Sequence, residues 1–208
     1  MLIYFVKIVS LIQTLTGHKD WVPALTVLQN GNLVSGSLDR TIKIWNPTTG
    51  ALIQTLIGFK EYVWKLTVLR NGNLVSSSST IKIWNPTTGA LIQTLTDHTS
   101  YVLALTVLQN GNLVSGSWDS TIKIWNQTTG ALIQTITTGH KFGVYSLTVL
   151  QNGNLVSASY QTIKIWNPTT GKVIQTLNGH TNSIWALSVL QNGNLVSGSD
   201  DSTIKIWG

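Results

Sequence analysis

An all-β fold of five radially arranged, four-stranded antiparallel blades is predicted by three features of the 208-residue chain. The string Ile-Lys-Ile-Trp ends at Trp45, Trp84, Trp125, Trp166 and Trp207, at spacings of 39, 41, 41 and 41 residues, and a fixed period of this length marks a repeat architecture. Between these strings lie short runs rich in Val, Ile, Leu and Thr, separated by Asn-Gly and Asn-Pro-Thr-Thr-Gly, the pattern of strands and tight turns. The strand inventory also closes, because one extra fourth-type run (residues 11–15) precedes the first unit while the chain stops after a third-type run. The N-terminal strand is therefore expected to complete the last blade by pairing with residues 203–207.

In the first unit, strand one covers residues 21–28 and Asn30-Gly31 supplies the positive φ angles of a type I′ hairpin turn. Strand two, residues 32–35, is turned by Ser-Gly-Ser-x-Asp into strand three, residues 41–45. Asn46-Pro47-Thr48-Thr49-Gly50 then breaks the run, since Pro lacks a ladder donor and Gly takes a left-handed conformation. Strand four is residues 52–56. Each such sheet is apolar on both faces, so neighbouring blades must cover it, and residues 1–208 read as one domain.

Composition narrows the chemistry. With 42% apolar residues the chain can bury a substantial core, and with no cysteine it has no disulfide framework, Cys-ligated zinc site or cysteine nucleophile. The formal charge of +6 would favour nucleic acid only if clustered. Lys43, Lys82, Lys123, Lys164 and Lys205 instead occupy one equivalent position per unit, where solvated ammonium groups on strand-covering stems are expected. No nucleic-acid or membrane partner is predicted. The apolar residues 2–6 are interrupted by Lys7 and lack the flanks of a signal peptide, so a soluble chain is expected, with the cytoplasm favoured and the compartment otherwise open. Residues 2–6 would lie at a subunit contact if the N-terminal strand completed a second chain's last blade. The expected state is thus a monomer or a strand-swapped homo-oligomer.

His18, Ser35 and Asp39 could suggest a catalytic triad, but the set recurs as His98, Ser115, Asp119 and as His180, Ser197, Asp201, whereas a hydrolase needs one assembled site. No catalytic residue, metal ligand set or cofactor is predicted. Gly17-His18, Ser35-Gly36-Ser37-x-Asp39 and Ile42-Lys43-Ile44-Trp45 resemble the WD-repeat β-propeller family, over nearly all of residues 10–207. The unit departs from it in having Asn46, Asn85, Asn126 and Asn167 after Trp where the family has Asp, and in numbering five where seven is common. The resemblance implies structural tetrads in which the turn Asp orients His, His meets a strand-two Ser, and Ser meets Trp45, Trp125 or Trp207. Ser37 is the alternative to Ser35. The second unit has Phe59 in place of His and no turn Asp, and the fourth keeps His140 but has Tyr160-Gln161 where Asp is expected. Those two blades are expected to be looser.

In an up-and-down sheet successive turns alternate between two ends. The Asn-Gly and Asn-Pro-Thr-Thr-Gly turns at one end barely vary, whereas the other end differs from copy to copy. It carries Trp21, Tyr62, Tyr101, Trp118 and Tyr160 in its turns, and Trp64, Tyr145 and Trp185 on strand one beside Pro23 and Leu103 of the other copies. Aromatic diversity on a constant scaffold is the composition of a recognition surface, and the resemblance points to the same end as the family's peptide- and protein-binding face. The predicted function is non-catalytic binding of a protein or peptide. The rival is a multivalent carbohydrate-binding propeller, which should repeat one site in every blade rather than vary it.

Overall fold

The computed structural model describes residues 10–208, so the apolar residues 2–6 lie outside the described part. Blade one comprises β1 (Ala24–Val27), β2 (Leu33–Gly36), β3 (Ile42–Trp45) and β4 (Leu52–Leu56). Blade two comprises β5 (Lys65–Val68), β6 (Leu74–Ser77), β7 (Ile81–Trp84) and β8 (Leu91–Leu95), and blade three β9 (Val102–Val107), β10 (Leu113–Ser117), β11 (Thr121–Trp125) and β12 (Leu132–Thr137). Blade four holds β13 (Ser146–Val149), β14 (Leu155–Ala158), β15 (Tyr160–Trp166) and the first half of β16 (Val173–Val189). The second half of β16 passes without a break into blade five, where it pairs with β17 (Leu195–Ser199), which pairs with β18 (Ile204–Trp207). Every pairing is antiparallel between consecutive strands, and the innermost strands β1, β5, β9, β13 and β16 pack against one another in turn. No helix among the described residues is long and apolar enough to cross a membrane.

The Asn-Gly turns differ from the type I′ expectation. Only the glycine has positive φ, 85° at Gly31 and 85–90° at Gly72, Gly111, Gly153 and Gly193. The Gly31 amide donates to the Leu28 carbonyl at 2.9 Å and the Leu28 amide to Asn32 at 2.9 Å. This is the longer hairpin in which a type I turn is followed by a left-handed glycine in a bulge. Asn30 Oδ1 accepts the Asn32 amide instead of adopting positive φ itself.

The core lies between blades. Val34, Ile42, Ile44 and Leu56 on the trailing face of blade one meet Val63, Leu66, Leu74 and Trp84 on the leading face of blade two. The same joint recurs with Val75, Ile81, Ile83 and Leu95 against Val102, Leu113 and Trp125, then with Ile122, Ile124 and Ile136 against Val144, Leu155 and Trp166. A fourth joint sets Val156 and Ile163 against Ile184 and Leu195. Lys43 and Lys123 belong to this packing. They are buried rather than solvated, and their ammonium groups donate to Thr55 at 3.1 Å and Thr135 at 3.0 Å.

The two ends of the array show what a joint is worth. Ile42 and Ile44 are 0% and 1% exposed, whereas the equivalent Ile204 and Ile206 are 76% and 64% exposed. On the opposite end, Leu25 and Val27 of the leading face are also open to solvent. The outer edge of β18 is free, which suits the expected closure by residues 11–15, but among the described residues β18 pairs only with β17 and residues 10–18 form no strand. The N-terminal run is held by blade one. Gln13 rests on Gly50 as Gln54, Gln93 and Gln134 of blades one, two and three rest on Gly89, Gly130 and Gly171 of the blades that follow them, so it occupies a fourth-strand station facing blade one.

Deleting buried Ile atoms leaves a cavity, so Ile42→Ala and Ile44→Ala should each cost about 3 kcal/mol, whereas Ile204→Ala and Ile206→Ala should cost under about 1 kcal/mol. Chemical denaturation measures both. Equal losses at the two pairs would show that a fourth strand covers β18 in solution.

Candidate binding site at the variable end

In blades one, three and five a chain of hydrogen bonds ties the joint to the variable turns. Trp45 Nε1 donates to Ser35 Oγ at 2.8 Å, Ser35 lies 2.7 Å from His18 Nε2, and His18 Nδ1 lies 2.8 Å from Asp39. The carboxylate on Nδ1 assigns the proton there, so Ser35 donates to Nε2 while accepting from the indole. Trp125, Ser115, His98 and Asp119 repeat the arrangement, as do Trp207, Ser197, His180 and Asp201. Ser37 stands outside this chain, where it donates to the Asp20 carbonyl and accepts the Asp39 amide.

Asp39 also accepts from Thr41 Oγ1 at 2.6 Å and from the Lys19 amide at 3.0 Å, so both variable turns of the blade hang on one carboxylate. Burial pushes the Asp39 and Asp119 carboxyls up, but the donors around them prevail and hold both well below the usual carboxylate range. At Asp201 the Thr203 hydroxyl is the leading cause of the same downward shift.

Blades two and four complete their networks by other means. In blade two the Phe59 ring lies 5.3 Å from that of Trp84, Lys82 Nζ sits 5.7 Å from Phe59, and Trp84 Nε1 still reaches Ser76 at 2.9 Å. Glu61 accepts the Ser79 amide at 3.1 Å and so holds the shortened turn that lacks an Asp. In blade four Thr162 Oγ1 takes the carboxylate's place, 2.9 Å from His140 Nδ1, and Ser157 joins His140 to Trp166. Neither network leaves a buried side-chain polar atom unpaired, so the expectation of loose blades has no counterpart in the hydrogen bonding. Desolvation, followed by the charge of Lys164, lowers His140 to about 4.

Strand one of each blade enters from these turns, and its variable position points to the centre. Pro23, Trp64, Leu103, Tyr145 and Trp185, one from each blade, line a single cavity of about 320 Å³ together with Trp118 and Lys65. Tyr145 and Trp185 stack with centroids 4.5 Å apart and planes 17° from parallel, and Trp185 Nε1 is held by Asp200 at 2.7 Å. Burial raises the Tyr145 phenol above its ordinary value. Trp118 reaches the cavity because blade four carries Gly143 beside it, where a Cβ would lie 2.6 Å from Trp118 Cα. Tyr62 and Tyr101 stand edge-on to Trp64 at 5.9 and 6.4 Å, and its indole nitrogen is buried without a partner.

The eight aromatics singled out in the sequence thus separate. Trp64, Trp118, Tyr145 and Trp185 form the cavity, while Tyr62 and Tyr101 buttress it. Trp21 projects to solvent on blade one, 79% exposed, and Tyr160 packs on Phe142 at 5.1 Å, so both stand apart from the cavity lining. Pro23, Leu103 and Lys65 join the lining. The first two are visible as variable positions, and Lys65 is visible only as a cation where the other units have Ala24, Ala104, Ser146 and Ala186. Clefts of about 250, 430 and 460 Å³ lie at the constant end, lined largely by the repeated Asn, Gln and Gly turns. No cluster of three or more His, Asp or Glu suited to a metal occurs among the described residues.

Two outcomes follow from the polar groups. Trp64→Phe removes an orphaned indole donor and should change stability by less than about 1 kcal/mol, whereas Trp125→Phe breaks a satisfied chain and should cost about 2–3 kcal/mol, both read by denaturant titration. His140 binds a proton more readily unfolded than folded, so its contribution is full above about pH 6.5 and is lost as pH falls toward 4. That loss is on the order of 2–3 kcal/mol. His140→Gln should remove this part of the pH dependence, and a slope unchanged between pH 7 and 4 would assign it to other groups.

Five stretches, residues 9–46, 50–85, 89–126, 130–167 and 171–208, match the family model described as WD domain, G-beta repeat. Among curated proteins, the transcriptional repressor tup12 of Schizosaccharomyces pombe is 53% identical over 36 residues, which is 17% of this chain and 6% of that protein. Among solved structures, the WD40 β-propeller domain of Doa1 superposes with a TM-score of 0.83 at 32% identity, covering 93% of this chain and 66% of that one. U3-55K superposes with a TM-score of 0.87 at 24% identity, over 94% of this chain and 63% of that one, a likeness of fold alone. The chain therefore spans one repeat's worth of the repressor and just under two thirds of each solved chain's length. With five matched repeats over nearly its whole length, it belongs to the WD-repeat family of β-propellers.

Proposed function

We propose that the chain acts as a single non-catalytic domain that binds a protein or peptide in the aromatic cavity at the variable end. One observation carries this reading: the equivalent position of all five blades, occupied by Pro, Trp, Leu, Tyr and Trp, converges on one cavity. A surface diversified by drift has no reason to become apolar and aromatic where five strands meet, whereas a composite anchor pocket does. The same convergence disfavours the carbohydrate-binding rival, because that reading needs one similar shallow site per blade. The matched segment of tup12 is a single repeat, so repression is not carried over to this chain.

A peptide-display selection on the intact chain, followed by affinity measurement of the selected peptides, tests the reading. Trp118→Ala combined with Trp185→Ala should weaken them at least tenfold, equal to about 1.4 kcal/mol. Both side chains are about half exposed, so the melting temperature should move little. Thr87→Ala with Thr128→Ala, in the constant loops, should leave binding intact. Binding that is lost from the constant loops and survives the aromatic pair would place the site at the wrong end.

A further inference from the structure

Lys65 occupies a slot built for small side chains. It pairs with Ser77 as Ala24 pairs with Gly36 and Ala104 with Gly116, and those alanines are 3% and 2% exposed. A lysine cannot fit into that joint, so its side chain lines the aromatic cavity. Among the described residues no carboxylate lies within ion-pair distance of it, and the cavity lining contains none. Asp200, behind the lining residue Trp185, is engaged by its indole N–H. Lys65 is exposed to the cavity rather than sealed within the joint, and desolvation by the surrounding walls draws its ammonium below its ordinary pKa.

The turn that follows this strand carries a second cation that, among the described residues, makes no ion pair. Gln29, Gln109 and Gln151 each donate to the backbone of the next blade, at 3.0, 2.9 and 3.1 Å. Blade two has Arg70 at that position, lining the cleft of about 430 Å³ among the constant loops. Lys65 begins β5 and Arg70 lies two residues beyond its end, at the constant-end turn. Both departures from the repeat therefore add positive charge to one blade, beside linings that contain no Asp or Glu of their own.

We infer that the cavity takes an acidic peptide segment, with an Asp or Glu carboxylate on Lys65 and the adjoining large apolar side chain against Trp118 and the Tyr145–Trp185 stack. This inference rests on the reading of the cavity as a peptide site and names its ligand class. The cavity is at the small end of the range for ligand sites, which suits one anchoring side chain with its flanking charge. A cationic ligand would place like charges together in a partly desolvated site.

Fluorescence polarisation with labelled Gly-Ser peptides carrying one Asp-Phe, Asn-Phe, Lys-Phe or Asp-Gly pair tests it. Asp-Phe should bind at least tenfold more tightly than each of the other three. Lys65→Met keeps the stem and should erase the difference between Asp-Phe and Asn-Phe, while Lys65→Arg should retain it; melting curves of both variants verify the fold. Failure of Asp-Phe to bind, binding led by Lys-Phe, or an Asp preference that persists in Lys65→Met would overturn the inference. Tighter Lys65-dependent binding of a single-stranded oligothymidine would also overturn it in favour of a nucleic acid. Peptides from the display selection that depend on Trp118 and Trp185 but not on Lys65 would leave the peptide site standing and remove only the acidic ligand.

Discussion

A sheet that is apolar on both faces can be covered only by another sheet, and the joint between blades is the contact on which everything else in this molecule depends. One face supplies Val34, Ile42, Ile44 and Leu56, the other Leu74 and the broad ring of Trp84. At about 25 cal/mol per Å² of apolar area removed from water, the joints are the main source of stability, and hydrogen bonding within a blade contributes specificity more than energy. The recurring indole follows from this. A Trp ring is wide enough to span the facing Ile pair, but it brings an N–H into the joint that must be satisfied there. The Ser hydroxyl beneath it meets that demand in every blade, at 2.8–2.9 Å.

The polar chain that begins at the indole ends at the surface, and this links packing to recognition. Asp39 receives donors from both turns of its blade, so turn backbones are fixed by groups that do not include the variable side chains. Positions such as Leu38, Trp118 and Asp200 can then change without disturbing the turn. Blade two has lost this device and relies on Phe59 and Glu61, and it is also the blade with Trp64, Lys65 and Arg70. Its departures are concentrated where they reach the central cavities, while its Ile-Lys-Ile-Trp strand and its joints are kept.

Period, strand identity and turn position were legible in the sequence because they depend on local patterns that five copies repeat. Strand four of blade one falls where the run Leu-Ile-Gln-Thr-Leu places it. The tetrads were legible through the resemblance, and the aromatic positions because they vary where the scaffold does not. Other features were hidden for physical reasons. A left-handed glycine serves both a type I′ turn and a type I turn with a bulge, so Asn-Gly alone does not choose between them. Thr162 is the counterpart of Thr41, Thr121 and Thr203, which stand 3.3 Å from the same His nitrogen, so its closer approach where the Asp is missing leaves no mark in the sequence. Which aromatics share a cavity depends on the direction of strand one, which separated Trp185 from Trp21.

The distribution of charge shows how function can enter such a constrained repeat. A formal charge of +6 suggests a basic surface, yet Lys43 and Lys123 are buried against threonine hydroxyls, and Lys82 and Lys164 sit near aromatic rings. Much of the charge is therefore part of the scaffold and repeats with it. Lys65 and Arg70 differ from these, because each replaces an uncharged residue on the channel side of blade two, at a position whose other copies serve packing or an inter-blade hydrogen bond. A repeat protein acquires specificity by giving up one copy of a stabilising device, and the loss is tolerable because the neighbouring joints remain intact. Blade two has given up a small-residue slot at the start of its inner strand and a glutamine bridge in the turn beyond it, and at each place it has gained a cation that, among the described residues, makes no ion pair.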